Sequence, residues 1–190
     1  FDQRVGGVVV DRGRDTLNID DSGDLIGDAG VNEIGLLDRA DVEGRTLISG
    51  FDLSADGITY LAIEVVNIDL GNTASDVVID STGLLDVMTL DMNGGNDDLA
   101  VYTINGPLSV TLGSGDDTAI VSDTVGAANT VNGILYGLLS ITGNGDTDDL
   151  RVNDGGDTTS DRKNVLSDTR IIGFGAAGSL VPDLPRNTQI

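Results

Sequence analysis

A right-handed parallel β-helix, a β-solenoid with irregular coils of about 20–30 residues, is the all-β fold this sequence predicts. Three observations carry that prediction. Four times an apolar, alternating stretch runs into a Gly/Asn-rich turn, then an aspartate, then a second apolar strand. The aspartates that close these turns, Asp76, Asp97, Asp117 and Asp148, lie 21, 20 and 31 residues apart. Nearly all the acid is aspartate, a turn former that disfavours helix interiors, since Glu33, Glu43 and Glu64 are the only glutamates among 32 acidic residues. The right hand follows from the strong preference of parallel crossovers. An antiparallel β-sandwich is the alternative, and it would need hairpin turns in place of recurring two-strand coils.

The four units can be read in order. Residues 66–70 run into GNTASDVVI, 88–92 into NGGNDDLAV, 108–112 into GSGDDTAIV and 139–141 into TGNGDTDDLRV. Side chains alternate faces along a strand, so parity assigns them. Val66/Ile68/Leu70, Met88/Leu90/Met92, Leu108/Val110/Leu112 and Leu139/Ile141 form one inward stack. Leu17/Ile19, Leu99/Val101, Ala119/Val121 and Leu150/Val152 form a second, while Asn67, Asp69, Thr89, Asp91, Ser109, Thr111 and Ser140 face water. The copy after Asp76 is ambiguous by one residue, because Val77, Val78 and Ile79 run together. Further strands are expected at 58–60, 63–65 and 134–136, and residues 25–45 read as one irregular coil with an extended loop. Some eight coils at about 4.8 Å per layer would give a rod roughly 40 Å long.

A longer period overlies the short one. Residues 15–24 match 148–157 at an offset of 133, and 47–51 match 170–174 at an offset of 123. The solenoid domain is therefore placed at 1–174, with a super-repeat over 15–147 and the next beginning at 148. Residues 175–190 carry Pro182 and Pro185 and no alternation, so they read as a C-terminal cap or linker. The chain opens on Phe1 without a signal-peptide pattern, which reads as a portion of something longer.

Composition excludes several functions. A formal net charge of -22, with ten basic residues, provides no stripe to neutralise phosphates, so no nucleic-acid partner is expected. No apolar run is long enough for membrane insertion. There is no cysteine and no histidine, which removes thiol chemistry, the commonest general base and most zinc sites. The expectation is that the chain is not an enzyme. A carboxylate pair acting on polysaccharide, or aspartates with an arginine base on a β-helix, is the remaining catalytic route, and at -22 an anionic sugar polymer would be repelled. Arg151, between Asp148, Asp149 and Asp154, reads as an ion-pair partner between coils.

The turns carry the candidate ligands. Two aspartates piled about 4.8 Å apart repel by roughly 3–4 kcal/mol at an effective dielectric near 20, and a cation between them would reverse that cost. The alternative is that each carboxylate accepts local backbone N–H bonds, as in Asx-turns. Asn93-Gly-Gly-Asn-Asp-Asp-Leu99 and Gly113-Ser-Gly-Asp-Asp-Thr-Ala119 resemble the glycine-aspartate nonapeptide of haemolysin-type, repeats-in-toxin calcium-binding repeats. That resemblance implies calcium held by Asp97 and Asp117, with Asn96 and Asp116 just before them. Asp76, Asp146 and Asp148 complete the candidate metal set. A broader likeness, across residues 13–174, is to repetitive regions of large secreted or surface bacterial proteins. It implies a secreted or cell-surface structural module of a stalk, fibre or filament, partnered by other copies of itself or neighbouring repeats. A calcium-dependent adhesin, binding a ligand such as cell-surface polysaccharide, and a polysaccharide-active β-helix enzyme are the alternatives.

Overall fold

The computed structural model describes residues 3–5, 8–10, 13–25, 31–36, 45–83, 87–122, 131, 138–158, 165–166, 170–172 and 188–189. These residues are all-β, with no helix among them, and their strands lie mostly in parallel sheets. A two-stranded hairpin of its own comes first, β1 (Gln3–Val5) against β2 (Val8–Val10). The chain then alternates between two larger sheets. β3 (Thr16–Asp20) enters the first sheet and β4 (Val31–Leu36) the second, followed there by β5 (Thr46–Ser49) and β6 (Ile58–Tyr60). Next come β7 (Val65–Asp69) and β8 (Asp76–Ile79), then β9 (Val87–Asp91) and β10 (Asp98–Val101), one strand to each sheet. The same alternation continues with β11 (Leu108–Gly113) and β12 (Thr118–Val121), then β13 (Leu139–Gly143) and β14 (Asp149–Val152). Short strands β15 (Val165–Leu166), β16 (Arg170–Ile172) and β17 (Thr188–Gln189) complete the first sheet.

Each strand of a unit pairs in parallel with its counterpart one unit along. In the first sheet Val66, Met88, Leu108 and Leu139 share one position, with Leu17 at its end. In the second, Val77, Leu99, Ala119 and Leu150 do the same. The inward residues of both sheets join in one core, in which Val66, Met88, Leu90, Met92, Val101 and Leu139 are fully buried. The parity assignment for these strands holds because polar residues separate the aliphatic ones and leave a single choice of face.

Four expectations are corrected. Leu17 and Ile19 belong to the first stack, since β3 pairs Leu17 with Val66 and Ile19 with Ile68. The matched segments of the longer period consequently sit in different sheets: 16–20 in the first and 149–152 in the second, 46–49 in the second and 170–172 in the first. Equal sequence pattern here does not mean equal position, because both sheets use the same inward alternation. Third, among the described residues the parallel layers number five in each sheet, with β17 appended, where about eight coils were expected. Fourth, the sheets are not purely parallel. β4, β5 and β6 pair antiparallel, as do β15, β16 and β17.

The reason is visible between β5 and β6. Two consecutive tight turns, closed by Leu53 N–H to Gly50 O and Gly57 N–H to Ser54 O, return the chain within eight residues. That is too short for a parallel crossover, which needs a dozen or more. Phe51 and Asp52 take left-handed φ values of 49° each, and the Phe51 N–H is accepted by the wholly buried Asn32 Oδ1. Strand 58–60 stands where it was expected, whereas only Val65 of 63–65 is in a strand and Ile63 packs half-buried against the core. Residues 134–136, and part of the coil read at 25–45, lie outside the described residues. In the segment read as a cap or linker, Thr188 and Gln189 add a strand between β13 and β16.

Candidate functional site at the aspartate turns

The pairing of the second sheet aligns Asp76, Asp98, Thr118 and Asp149. One residue earlier, the same register stacks Ser75, Asp97, Asp117 and Asp148, one per layer. Asp76 is therefore not a member of the turn column. Inward Val77 and Ile79 resolve the one-residue ambiguity after it, leaving Asp76 exposed at the start of its strand. Ser75, which sequence reasoning missed, occupies the position.

The carboxylates of the column act between layers. Ser75 N–H donates to Asp97 Oδ1 at 2.8 Å, Asp97 N–H to Asp117 Oδ1 at 2.9 Å, and Asp117 N–H to Asp148 Oδ1 at 3.4 Å. Each side chain accepts the amide of the layer before it. Beside this column runs a second with the opposite sense: Asp116 N–H donates to Asn96 Oδ1 and Thr147 N–H to Asp116 Oδ1, both at 3.1 Å. Asp146 Oδ2 adds a bond from Gly115 N–H, also 3.1 Å. The turns are thus stitched across the layers by side-chain rungs in both directions, in addition to the backbone ladder that continues through them. Local Asx-type capping does occur at Asp20, where the Ser22 hydroxyl and N–H both donate to Oδ1 and hold the carboxyl below its ordinary range.

Burial divides the candidate residues. Asp97 and Asp117 are each 1% exposed, Asp148 is half-buried, and Asn96, Asp116 and Asp146 are exposed. The second carboxyl oxygen, Oδ2, of both Asp97 and Asp117 is buried and has no hydrogen-bond partner. Burying a carboxylate with half its acceptor capacity unused penalises the charged form. That desolvation pushes Asp97 up to about 7, against the lowering effect of the Ser75 N–H and with help from the charges of Asp117, Asp98 and Asp76. Burial likewise raises Asp117, opposed by the Asp97 N–H and reinforced by Asp148, Asp116 and Asp146.

Calcium takes six to eight oxygens at about 2.3–2.6 Å. Among the described residues no group of three or more Asp or Glu comes together as a cation cage. Each carboxylate of the column accepts one amide of the layer before it, and the second oxygens of Asp97 and Asp117 remain without a hydrogen-bond partner. A proton on Asp97 would relieve the cost of burying its charge.

The remaining polar features are structural. Arg151 bonds Asp149 two residues away on its own strand at 2.6 Å, both more than half exposed, so the ion pair lies within a layer instead of between coils and contributes little. On the first sheet's outer face the polar residues form a ladder: Asn67 Nδ2 donates to Asn18 Oδ1 at 2.8 Å and Thr89 Oγ1 to Asn67 Oδ1 at 2.6 Å. The return side has its own rung, where the wholly buried Thr82 accepts Asn105 N–H at 2.8 Å. Compared with known protein families, characterised proteins and solved structures, the chain matches none of them.

Proposed function

We propose that this chain is an extracellular structural repeat module: a stretch of right-handed parallel β-helix that builds a surface stalk or fibre by stacking axially on other copies or neighbouring repeats. One observation carries the reading. Each apolar column runs out at one end: Leu17 and Ile19 in the first sheet and Leu150 and Val152 in the second are only partly buried, while Leu139 and Ile34 at the opposite ends of those columns are closed. Among the described residues β3 ends the first sheet and β14 ends the second, each with one unpaired edge. A layer whose apolar face is uncovered and whose backbone edge is open is completed by another layer. The setting outside the cell is proposed with it, from the likeness of the turns to repeats of secreted bacterial proteins. No catalytic role is proposed.

Concentration-dependent rods, seen by electron microscopy and sedimentation, are the expected result. Leu17→Lys and Leu150→Lys, each placing a charge in an open end, should reduce axial assembly at least tenfold while circular dichroism stays unchanged. Assembly unaffected by either substitution would contradict the reading, and so would a particle that remains single at every concentration.

A second reading, a calcium-dependent ligand-binding module, is favoured by the unpartnered Oδ2 atoms of Asp97 and Asp117. It expects millimolar Ca²⁺ to raise the melting temperature of chelator-treated protein, and Asp117→Asn to remove that rise. No shift with Ca²⁺ leaves the protonated column as the answer.

A further inference from the structure

The outward positions of the second sheet form a column that no axial contact uses. The pairings place Glu33, Val78, Ala100, Ile120 and Arg151 side by side, one per layer. It is acidic at one end, aliphatic through the middle and basic at the other. The corresponding column of the first sheet, Asn18, Asn67, Thr89, Ser109 and Ser140, is polar throughout. Ile120 is 36% exposed and Val31, at the start of the outermost parallel strand, is 55% exposed. An open trough of about 390 Å³ lies over Val78, Ala100 and Ile120, with Asp76 and Asp98 along one bank and Arg151 at its end.

We propose that this face pairs with the same face of a second copy, the two stacking directions antiparallel about a two-fold axis along β10. The order of the column is the argument. Reversed against itself, it sets Glu33 of each copy opposite Arg151 of the other, Val78 opposite Ile120, and Ala100 on Ala100. A same-direction pairing would set Glu33 on Glu33 and Arg151 on Arg151, which like-charge repulsion disfavours. An isologous contact needs such self-complementarity, and a small residue at the centre lets the two sheets approach. Arg151 already holds Asp149, so in the pair it lies between two carboxylates. Asp98 meets its own copy across the axis, at the rim, and works against the contact. Five layers at about 4.8 Å by four residues at about 3.3 Å cover roughly 300 Å² per copy, well under the ~800 Å² of a standard interface. The single pair is therefore weak, with Kd on the order of 0.1–1 mM, and it gains strength where several modules lie along one rod. This lateral contact goes beyond axial stacking and does not depend on it.

Sedimentation equilibrium up to millimolar protein tests it, in the end-charged Leu17→Lys/Leu150→Lys background so that axial assembly does not contribute. A dimer is expected, its association constant at least tenfold lower for Ile120→Asp, Glu33→Arg and Arg151→Glu, and restored to within threefold in the Glu33→Arg/Arg151→Glu double variant. All three positions are on the outer face, and circular dichroism checks that the fold persists. A monomer at every concentration overturns the proposal. So does a dimer indifferent to Ile120→Asp, or one that the double reversal does not restore.

Discussion

Lowering the pH from 8 to 5 is expected to raise the melting temperature of this protein, and Asp97→Asn is expected to raise it at pH 8 and flatten the dependence. Asp97 is pushed up to about 7 in the folded chain from an ordinary 3.8, first by burial and then by the charges of Asp117, Asp98 and Asp76. Between those two values the folded state holds a proton that the unfolded state has lost, so stability falls as pH rises through that window. It is fully present below about 4 and gone above about 7. Three pH units at 1.36 kcal/mol each set a ceiling near 4 kcal/mol. Sharing of the penalty with Asp117 and partial access of water bring the expected effect to about 2 kcal/mol. Asparagine mimics the protonated acid: its Oδ1 still accepts the Ser75 N–H and it carries no charge to desolvate. Asp97→Ala should instead cost about 1–3 kcal/mol at any pH, because it leaves the buried Ser75 N–H without an acceptor. Thermal melts of the three proteins at pH 5, 6.5 and 8 decide the matter. Asp97→Asn as destabilising as Asp97→Ala at pH 8 would show that the carboxylate is needed charged.

Reading such a column from sequence alone has a definite boundary. Met88, Leu90 and Met92 could be placed inside because Thr89 and Asp91 interrupt them, and period two then has one solution. At Val77-Val78-Ile79 nothing interrupts, so the pattern alone sets Asp76 level with Asp97, one residue from its true partner Asp98. Leu17/Ile19 and Leu150/Val152 present the same pattern, so strand content was legible while sheet membership was not. That distinction depends on pairing partners 49 and 31 residues away in the chain. The antiparallel β5–β6 hairpin did leave a local sign, the Asp56-Gly57 dipeptide that marks tight turns. The inter-layer rungs left none: nothing in the sequence around Asp97 marks an amide of the adjoining layer as its donor. Asp20 and Asp97 took opposite courses because Asp20 has a hydroxyl donor two residues on, whereas Asp97 sits under an amide of the adjoining layer.

Gly115→Ala is expected to cost more than any other single methyl addition in these turns, upward of about 3 kcal/mol. Layers stacked at about 4.8 Å leave little room along the axis, and at this position an added Cβ would run into the backbone of the preceding layer. A Cβ on Gly115 would stand 1.7 Å from the carbonyl oxygen of Gly95 in the preceding layer. Backbone cannot move aside as a flexible side chain does, so the methyl would have to separate two layers that the Asp97–Asp117 rung and the ladder hold together. Gly115 also has a φ of +133°, which by itself costs an L-residue about 1–3 kcal/mol. Gly145 separates the two causes. Its φ is +118°, yet a Cβ there meets nothing within 4 Å, so Gly145→Ala should show the conformational cost alone, about 1–2 kcal/mol. Equilibrium denaturation in urea should therefore rank Gly115→Ala well below Gly145→Ala, with the larger loss spreading to both adjoining layers because each is stabilised mainly by its neighbours. Equal losses at the two positions would mean that the close approach of successive turns, on which the stacking of the whole aspartate edge depends, is not maintained in solution.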